Sequence, residues 1–357
     1  MQTQIISCVL ITYNSAKFLR TFFESLSAQK NVEIELIVID NASSDDSVAL
    51  AQKLAGEHFK KLVIHKNEHN LGYSGAAEQG VWESTGEFIL IANPDIVFEP
   101  EYFSTLVARM HKDTKIGAIT GKLLKYDFAK YFASQGQSES DSGKNVQLLE
   151  VGKTTTIDSA GLVMQRSRRC VDRGQGSEDC GQFDNPQEVF GVTGAAPLYR
   201  KSALKEITVG GHVFEPDFFM YKEDVDVSWR LRLLGWSCFY EPSAIAYHGR
   251  GTGAISRDGV IAVAQNRESL PKFTRYHSYR NERVMRLRNE IASHALRDFL
   301  SIAWRELLMF GWIVIHEPFL FKSIYEVIKK MPTTFKHRAE LMRKIKISAD
   351  EIRRWFV

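Results

Sequence analysis

The sequence predicts an α/β protein with a mainly parallel central sheet, followed by a helical C-terminal part. From residue 5 to about 125, short apolar runs alternate with helical stretches, a pattern typical of βαβ units. From about residue 266 onward the chain is helical, basic and aromatic, which indicates a change of structural role. Its 357 residues are enough for one elaborated α/β domain with an additional segment.

In the first part, strands are distinguished from helices by the length of their apolar runs, and their ends are marked by turn residues. The predicted strands cover residues 5–12, 34–40, 61–65, 88–92 and 116–120, and the predicted helices cover 16–26, 45–55, 74–83 and 100–110. Residues 127–185 are richer in Gly, Ser, Asp, Gln and Arg, which predicts loops and a short strand at 162–164. Regular structure then returns, with a run at 189–199, a helix at 224–234 and closing strands at 236–240 and 244–248.

Composition excludes several classes of protein. A formal net charge of +3 is too small to indicate nucleic-acid binding. Four cysteines without a C-x-x-C pair suggest neither a zinc site nor a disulfide framework, which favours a reducing cytoplasm. The N-terminus has no basic region and no cleavage site, so no signal peptide is expected. The uncharged apolar stretch at 307–315 is far shorter than the roughly 20 residues that cross a bilayer.

The tripeptide Asn93-Pro94-Asp95 closes the apolar run at 88–92. A carboxylate at the carboxyl end of a buried parallel strand lies where open α/β sheets bind ligands, and it is a suitable ligand for a divalent cation that carries phosphates. The same tripeptide is equally compatible with a simple turn, in which Asp95 caps the following helix.

Polar residues also follow the other predicted strands, in the segments Thr12-Tyr13-Asn14, Asp40-Asn41-Ala42-Ser43 and Asn70-Leu71-Gly72. Because the carboxyl ends of parallel strands meet at one edge of a sheet, these segments are expected to line a single crevice. The first strand is followed neither by G-x-G-x-x-G nor by a P-loop. Ordinary dinucleotide and ATP sites are therefore disfavoured.

An acidic cluster and a histidine further along the chain could also take part in catalysis or metal binding. Glu223, Asp224 and Asp226 lie at a predicted helix start, where carboxylates commonly cap amides and favour the dipole. Aromatic residues just upstream would partly desolvate one of them and raise its pKa, as a general base requires. His248 ends a predicted strand. A lone histidine is more often structural, but a candidate metal-binding aspartate nearby favours the ligand role.

With these residues the chain resembles inverting glycosyltransferases of family two, which have the GT-A fold, and most of all bacterial rhamnosyltransferase-type members that build cell-surface polysaccharides. The resemblance covers about residues 5–250 and depends on seven motifs in family order. They are Val9 to Asn14, Val38 to Asp45, Asn70 to Gly75, Asn93 to Asp95, Gly194 to Ala196, Glu223 to Asp226, and His248.

The resemblance implies a role for each matching residue. Donor nucleotide-sugar binding is implied for Thr12, Tyr13, Asn14, Asp40, Asn70, Gly72, Tyr73, Asn93 and Asp95. Asp224 matches the catalytic base, with Glu223 before it, while Gly194, Ala195 and Ala196 match the acceptor side. Trp229 would support the helix or stack near the acceptor. Asp95 and His248 match the ligands of Mg²⁺ or Mn²⁺. Asn93 replaces the first acid of the metal motif, so diphosphate oxygens and water would complete the coordination.

The resemblance also implies a division of the chain. Residues 1–265 form the GT-A catalytic domain, with a nucleotide-binding half at 1–125 and an acceptor and catalytic half at 126–265. Residues 266–357 form a helical appendage. Arginines interleaved with aromatic residues in 272–290 predict an interfacial helix on an anionic membrane, although a face that packs on the catalytic domain is the alternative. Trp304, Phe310, Trp312, Phe319 and Phe321, followed by the basic residues from Lys329 to Arg354, favour membrane association of the whole appendage. The expected location is peripheral, on the cytoplasmic face of the cell membrane, with a saccharide acceptor carried on polyprenyl diphosphate.

The expected function is metal-assisted, inverting transfer of a sugar from a nucleotide-sugar donor, with dTDP-L-rhamnose favoured and UDP-hexoses as the first alternative. A sugar-nucleotide nucleotidyltransferase would need a glycine-rich basic loop after the first strand, and Thr12-Tyr13-Asn14-Ser15 lacks it. A carbohydrate-binding or scaffold protein without catalysis is a third possibility. The residues specify neither the donor sugar, nor the acceptor and linkage, nor the oligomeric state.

Overall fold

The computed structural model describes residues 5–59, 61–135, 149–250 and 267–357. Within them a sheet contains ten strands: β1 (Ile5–Thr12), β2 (Glu33–Asp40), β3 (Lys61–Lys66), β4 (Phe88–Ala92), β5 (Ile96–Phe98), β6 (Ile116–Tyr126), β7 (Lys153–Ser159), β10 (Gln187–Val189), β11 (Leu198–Arg200) and β12 (Ser237–His248). Their order in the sheet is β10-β12-β6-β11-β4-β1-β2-β3, with β5 paired to β12 and β7 to β6. A separate two-stranded ribbon contains β8 (Leu162–Met164) and β9 (Cys170–Asp172).

The long strand pairings are parallel and the short ones are antiparallel. Strands β1, β2, β3 and β4 pair in parallel, as do β6 and β12, whereas β5, β7, β10 and β11 join antiparallel. This arrangement confirms the predicted α/β class with a mainly parallel sheet. The bounds of β1 and β4 are those predicted, because each is a buried apolar run that ends in polar residues.

The helices of the first part lie between these strands, and the remaining helices follow the sheet. They are α1 (Ala16–Ser27), α2 (Ser47–His58), α3 (Gly72–Glu83), α4 (Tyr102–Lys112), α5 (Phe128–Gln135), α6 (Lys201–Glu206), α7 (Glu223–Leu233), α8 (Lys272–Asn289), α9 (Ala292–Arg297), α10 (Phe299–His316), α11 (Phe321–Lys344) and α12 (Ala349–Arg353). Alternate residues of β1 face opposite layers. Val9 and Ile11 pack on one side of the sheet, while Cys8 and Leu10 pack on the other.

Two predicted strands differ from the structure in extent. The predicted closing strands at 236–240 and 244–248 are one strand, β12, with an irregular register between Glu241 and Ile245. Pro242 lies in this interval and has no N–H to donate, so the ladder is interrupted while the strand continues. Strand β6 runs six residues past the predicted end at 120, because it pairs with both β12 and β7.

The C-terminal helices pack against the rest of the protein. Phe356 lies in the main core with its ring centroid 5.6 Å from that of Trp229, and it forms a β-bridge with Met164. The predicted domain boundary between residues 265 and 266 lies outside the described residues, as do the first four residues, on which the absence of a signal peptide was partly based.

Helix α8 corrects the interpretation of residues 272–290 as an interfacial membrane helix. Its arginines pair inside the protein: Arg275 with Glu317 at 2.8 Å, Arg286 with Glu306 at 2.6 Å and Arg288 with Asp226 at 2.6 Å. The packing alternative is therefore the one that the structure supports. The sequence could not show this, because the neutralising carboxylates are 20 to 62 residues away along the chain.

Candidate active site

The carboxyl ends of β1 and β2 are joined through Asp40. Its Oδ1 accepts a hydrogen bond from the Thr12 hydroxyl at 2.8 Å, and its Oδ2 accepts one from the backbone N–H of Ser43 at 2.9 Å. The side chain of Asp40 is fully buried. In this structure Asp40 therefore holds two loops together, and the donor-binding role that the resemblance implied for it stays a prediction.

Tyr13 and Asn14 form the exposed rim of this edge. Tyr13 is 53% exposed, which leaves its ring open to stack on a flat base. Asn14 has a φ of 49°, and its Oδ1 accepts a hydrogen bond from the backbone N–H of Ser44 at 2.8 Å. Both side chains are exposed, and their role in nucleotide binding stays a prediction.

Asn70, Gly72 and Tyr73 bring the start of α3 to the centre of the crevice. The N–H of Gly72 donates to Asn70 Oδ1 at 2.7 Å, and Gly72 has a φ of 72°. A Cβ at Gly72 would collide with the backbone of Phe219, so only glycine fits. The Tyr73 hydroxyl donates to the Gly194 carbonyl at 2.6 Å. The segment from Asn70 to Tyr73 thus contacts Phe219, just before the acidic residues at 223–226, and Gly194.

Asp95 and His248 meet, as the sequence predicted. His248 Nε2 lies 3.5 Å from Asp95 Oδ1 and 3.4 Å from Asn93 Nδ2, at the junction of β4, β5 and β12. On its other side, His248 Nδ1 lies 2.9 Å from Asp158 Oδ2. Burial alone would lower the pKa of His248, but the Asp95 charge and the hydrogen bonds to both carboxylates raise that pKa to about 10.

This pair has the donor chemistry of a divalent metal site. With Nδ1–H donated to Asp158, Nε2 faces the Asp95 carboxylate and would become a ligand when a cation displaces its proton. Among the described residues, no cluster of three or more His, Cys, Asp or Glu side chains could hold a metal on its own. The two residues therefore fit a cation whose remaining ligands come from a bound diphosphate and water, as the sequence predicted.

Sequence reasoning missed the ion pairs that lead from His248 towards Glu223 and Asp224. Asp158 lies 3.0 Å from Arg250 Nε, and Arg250 Nη2 lies 2.9 Å from Asp172 Oδ2. Asp158 is fully buried within β7. A carboxylate inside a strand is a signal that the sequence offered, because buried acids are normally paired.

Asp224 is held by two backbone amides at the start of α7. Its Oδ2 accepts from the Gly194 N–H at 3.0 Å, and its Oδ1 accepts from the Val225 N–H at 2.8 Å. Burial raises the pKa of Asp224, and burial together with the Asp224 charge raises the pKa of Glu223 to about 8. Since Asp224 has the two amide donors, we assign the shared proton to Glu223 and the negative charge to Asp224 at neutral pH.

A cavity of about 170 Å³ lies in front of these acids. It opens between the β8–β9 ribbon, the start of α7 and helix α8, and it is lined by Leu162, Cys170, Val171, Asp172, Tyr221, Lys222, Glu223, Asp224, Val225 and Ser278. A partly desolvated carboxylate in a cavity of this kind can accept a proton from a bound hydroxyl.

The segment of Gly194 and Ala195 joins the three regions. Gly194 bonds through its N–H to Asp224 and through its carbonyl to Tyr73, while the Ala195 carbonyl accepts from the Asn93 N–H at 3.0 Å. This segment therefore links Asp224 to the start of α3 and to the end of β4, where Asn93 lies beside His248.

Two residues predicted on the acceptor side lie in the core instead. Trp229 is 1% exposed and packs against the rings of Phe190 and Phe356, so it supports the helix and cannot stack on an acceptor. Ala196 is fully buried, and its carbonyl accepts from the Tyr102 hydroxyl at 2.9 Å. Asp226 is also structural, because it pairs with Arg230 and Arg288.

The loop before Glu223 is strained and is held by Asn281. Phe219, Tyr221 and Lys222 have φ values of 63°, 72° and 76°, which cost non-glycine residues about 1 kcal/mol or more each. The buried amide nitrogen of Asn281, on α8, lies 2.8 to 2.9 Å from the carbonyl oxygens of Phe218, Met220 and Tyr221. A C-terminal helix thus shapes the loop that presents the acid pair.

Replacing Asn281 with Leu is expected to lower kcat about 100-fold and to change the donor KM little, because the loop would relax and move Asp224 away from its productive position. Steady-state kinetics with donor and acceptor would measure both constants. Asn281→Gln, which keeps an amide donor, should recover part of kcat. A Leu variant that unfolds at a lower temperature but keeps the wild-type kcat would show that Asn281 only stabilises the fold.

Replacing Glu223 with Gln is expected to stabilise the protein at alkaline pH. The pKa of Glu223 is about 8 in the folded state and about 4.5 in the unfolded state, so the wild type loses folding stability progressively as the pH rises from 4.5 to about 8. Glutamine never ionises, so at pH 9 the variant should unfold on the order of 5 °C above the wild type. At pH 4 the two should be nearly equal. Thermal unfolding at both pH values would measure the difference, with the exposed Glu33→Gln as a control. An equal offset at both pH values would contradict a buried, protonated Glu223.

Comparisons with known proteins identify the fold and the family of this chain. Poly-beta-1,6-N-acetyl-D-glucosamine synthase from Staphylococcus epidermidis is 24% identical over 246 residues, which are 69% of this chain and 50% of that protein. The chain therefore spans about half the length of the curated relatives it matches. The structure of S. aureus TarS 1-349 in complex with UDP-GlcNAc aligns with a TM-score of 0.53 and 15% identity, over 95% of this chain and 88% of that chain. GalNAc-T7 with UDP, GalNAc and Mn2+ aligns with a TM-score of 0.50 and 13% identity, over 89% of this chain and 58% of that one.

The structural likenesses show the fold and confirm the GT-A architecture that the sequence predicted. The family model described as glycosyl transferase family 2 matches residues 7–208, which is more than half of the chain. That match includes the ends of β1, β2 and β4, where the crevice is built. The protein belongs to glycosyl transferase family 2.

Proposed function

We propose that the protein transfers a sugar from a nucleoside diphosphate sugar to a hydroxyl group of a saccharide acceptor, with inversion at the anomeric carbon. One observation carries the proposal. The amide-held carboxylate of Asp224 is linked to the strand end beside the Asp95–His248 pair, because Gly194 bonds to Asp224 and the adjacent Ala195 bonds to Asn93. One side supplies a proton acceptor, and the other suits a charged diphosphate.

Asp224 has the properties of the general base. It is partly buried, its pKa is raised by burial, and its neighbour Glu223 holds the shared proton. In the transfer step the acceptor oxygen forms a bond to the anomeric carbon, and its proton goes to Asp224. The bond between that carbon and the diphosphate oxygen breaks, and its electron pair leaves with the nucleoside diphosphate. Direct displacement of this kind inverts the anomeric configuration.

Asp95 and His248 are the residues that would hold Mg²⁺ or Mn²⁺. A bound cation would supply neutralisation of the charge on the leaving diphosphate. Asp158 fixes the imidazole with Nε2 towards Asp95, which is the orientation that ligation needs. The Mn2+ in the GalNAc-T7 structure, which has the same fold, is consistent with this use of a divalent cation.

For the donor we retain dTDP-L-rhamnose as the first candidate, with UDP-hexoses as the alternative. The UDP-GlcNAc complex of TarS gives the second group particular interest. A thermal-shift panel of nucleotide sugars, with and without Mn²⁺, would identify the donor, because a selective ligand raises the unfolding temperature. Release of nucleoside diphosphate only when acceptor is present would then establish transfer.

Two outcomes would contradict the proposal. Formation of a nucleotide sugar from a nucleoside triphosphate and a sugar phosphate would indicate a nucleotidyltransferase. Donor binding without any release, over a panel of saccharide and lipid-linked acceptors, would indicate a binding protein. For the acceptor we propose a saccharide on polyprenyl diphosphate, which places the enzyme on the cytoplasmic face of the cell membrane, where such lipids present their saccharides.

A further inference from the structure

Helix α10 exposes most of its apolar side chains. Its 18 residues from Phe299 to His316 are long and apolar enough to cross a membrane by length and composition alone, and only 6% of them are buried. Along one face, Leu300 is 82% exposed, Trp304 62%, Leu307 62% and Ile315 74%. This face is much longer than the uncharged stretch at 307–315, because the helix continues through Arg305 and Glu306.

Those two charges fasten the opposite side of α10 to α8. Arg305 Nη2 lies 3.0 Å from Glu282 Oε2, and Glu306 accepts from Arg283 at 2.8 Å and from Arg286 at 2.6 Å. A helix that is ion-paired to the protein along one side cannot be surrounded by lipid. Its exposed side is therefore suited to lying on a surface and not to spanning a bilayer.

Helix α11 continues the same pattern. Its exposed apolar residues, Phe321, Tyr325, Ile328 and Phe335, are spaced by four, three and seven positions, which places them on one side of the helix. Lys322, Lys329 and Lys336 are seven residues apart, are exposed, and flank that apolar stripe.

The two helices form one surface. An open groove of about 520 Å³ is lined by Phe299 and Ile302 of α10 and by Val327 and Phe335 of α11. At the other end, the rings of Phe310 and Phe321 lie 6.4 Å apart. We call the exposed apolar residues of α10 and α11, together with the three lysines, the apolar face. Soluble proteins normally expose apolar side chains singly, whereas this face exposes many that are neighbours.

We propose that the apolar face binds the surface of an anionic lipid bilayer, with its leucine and aromatic side chains at the level of the upper acyl chains and its lysines among the headgroups. Charge favours this occupant. Residues 292–357 contain twelve Lys and Arg against seven Asp and Glu. A symmetric dimer through the same face would bring the lysine stripes of two copies together, whereas anionic headgroups neutralise them. Within the segment 266–357, which the sequence predicted to associate with a membrane, the contact thus belongs to α10 and α11 and not to residues 272–290.

Vesicle sedimentation with the full chain tests this surface without donor or acceptor, so its result does not depend on the proposed function. The protein should bind phosphatidylcholine vesicles containing phosphatidylglycerol at low ionic strength, and less well at high ionic strength or without the anionic lipid. Leu300→Glu with Leu307→Glu should lower the bound fraction about tenfold, and so should Lys322→Glu with Lys329→Glu and Lys336→Glu. Lys53→Glu, an exposed charge reversal on α2, is the matched control.

All substituted side chains are exposed, so unfolding temperature and nucleoside diphosphate release in solution should stay at wild-type values. The proposal is overturned if the α10 variant binds vesicles as the wild type does. It is also overturned if the wild type ignores anionic vesicles, or if light scattering shows a dimer that the α10 variant converts to a monomer with no change in vesicle binding.

Discussion

Replacing Asp224 with Asn is expected to lower kcat by about three orders of magnitude, within the range that general-base catalysis supplies. Asparagine keeps the size of the side chain, and its single oxygen can accept from one of the two N–H groups, of Gly194 and Val225, that bind separate oxygens of Asp224, but it cannot take the proton of the acceptor. Donor binding should therefore stay near the wild-type value. Steady-state release of nucleoside diphosphate, with calorimetric binding of the donor, would separate the two effects.

The exposed Asp350, on α12, offers a matched control for that substitution. Asp350→Asn changes the net charge equally and should leave kcat unchanged. If the Asp224 variant turned over at nearly the wild-type rate, the base would have to be another group. Glu223 would be the first to examine, because it is adjacent and the charge of Asp224 contributes to its raised pKa.

Replacing Asp95 with Ala is expected to weaken the binding of Mn²⁺ and of the donor together, each by about two orders of magnitude. The reason is that the alanine leaves His248 as the one predicted protein ligand and removes the carboxylate that faces it at 3.5 Å. Calorimetric titration with Mn²⁺ in the presence of nucleoside diphosphate, followed by titration with the donor, would measure both losses.

Asp158→Asn provides a graded comparison, because it leaves Asp95 in place and changes the carboxylate that His248 Nδ1 and Arg250 share. Its effect on Mn²⁺ binding should be about tenfold, smaller than that of Asp95→Ala. An Mn²⁺ titration of the Asp95 variant that matched the wild type would remove Asp95 from the metal site. A donor loss without a metal loss would leave it as a diphosphate contact only.

Much of the catalytic fold was predictable because its signals are local. Strands β1 and β4 are buried apolar runs that end in polar residues, and parallel pairing then brings those ends to one edge. The meeting of Asp95 with His248, 153 residues apart, was expected from the family resemblance, and it results from the antiparallel pairing of β5 with β12, which sets His248 opposite Ile96. The acid pair at the start of α7 was also predictable, from carboxylates that follow aromatic residues.

The remaining features depend on contacts between distant segments, which local patterns do not encode. Asn281 lies about 60 residues beyond the loop that it holds, and nothing in its immediate neighbours marks it. The arginines of α8 suggested a membrane helix because their partners, Glu306 and Glu317, are on later elements. Trp229 has the residue type of a sugar-stacking side chain, but the helix turns it towards Phe356.

The hold of α8 on the loop at 218–221 has a practical consequence for dividing this polypeptide. A truncated version that stopped before Lys272 would retain each side chain assigned to chemistry, yet its Phe219, Tyr221 and Lys222 would lose the amide that keeps them in an unfavourable backbone geometry. Hybrid enzymes that exchange acceptor or membrane specificity should therefore join their parent sequences after Asn289, so that α8 and the loop that it holds come from the same parent.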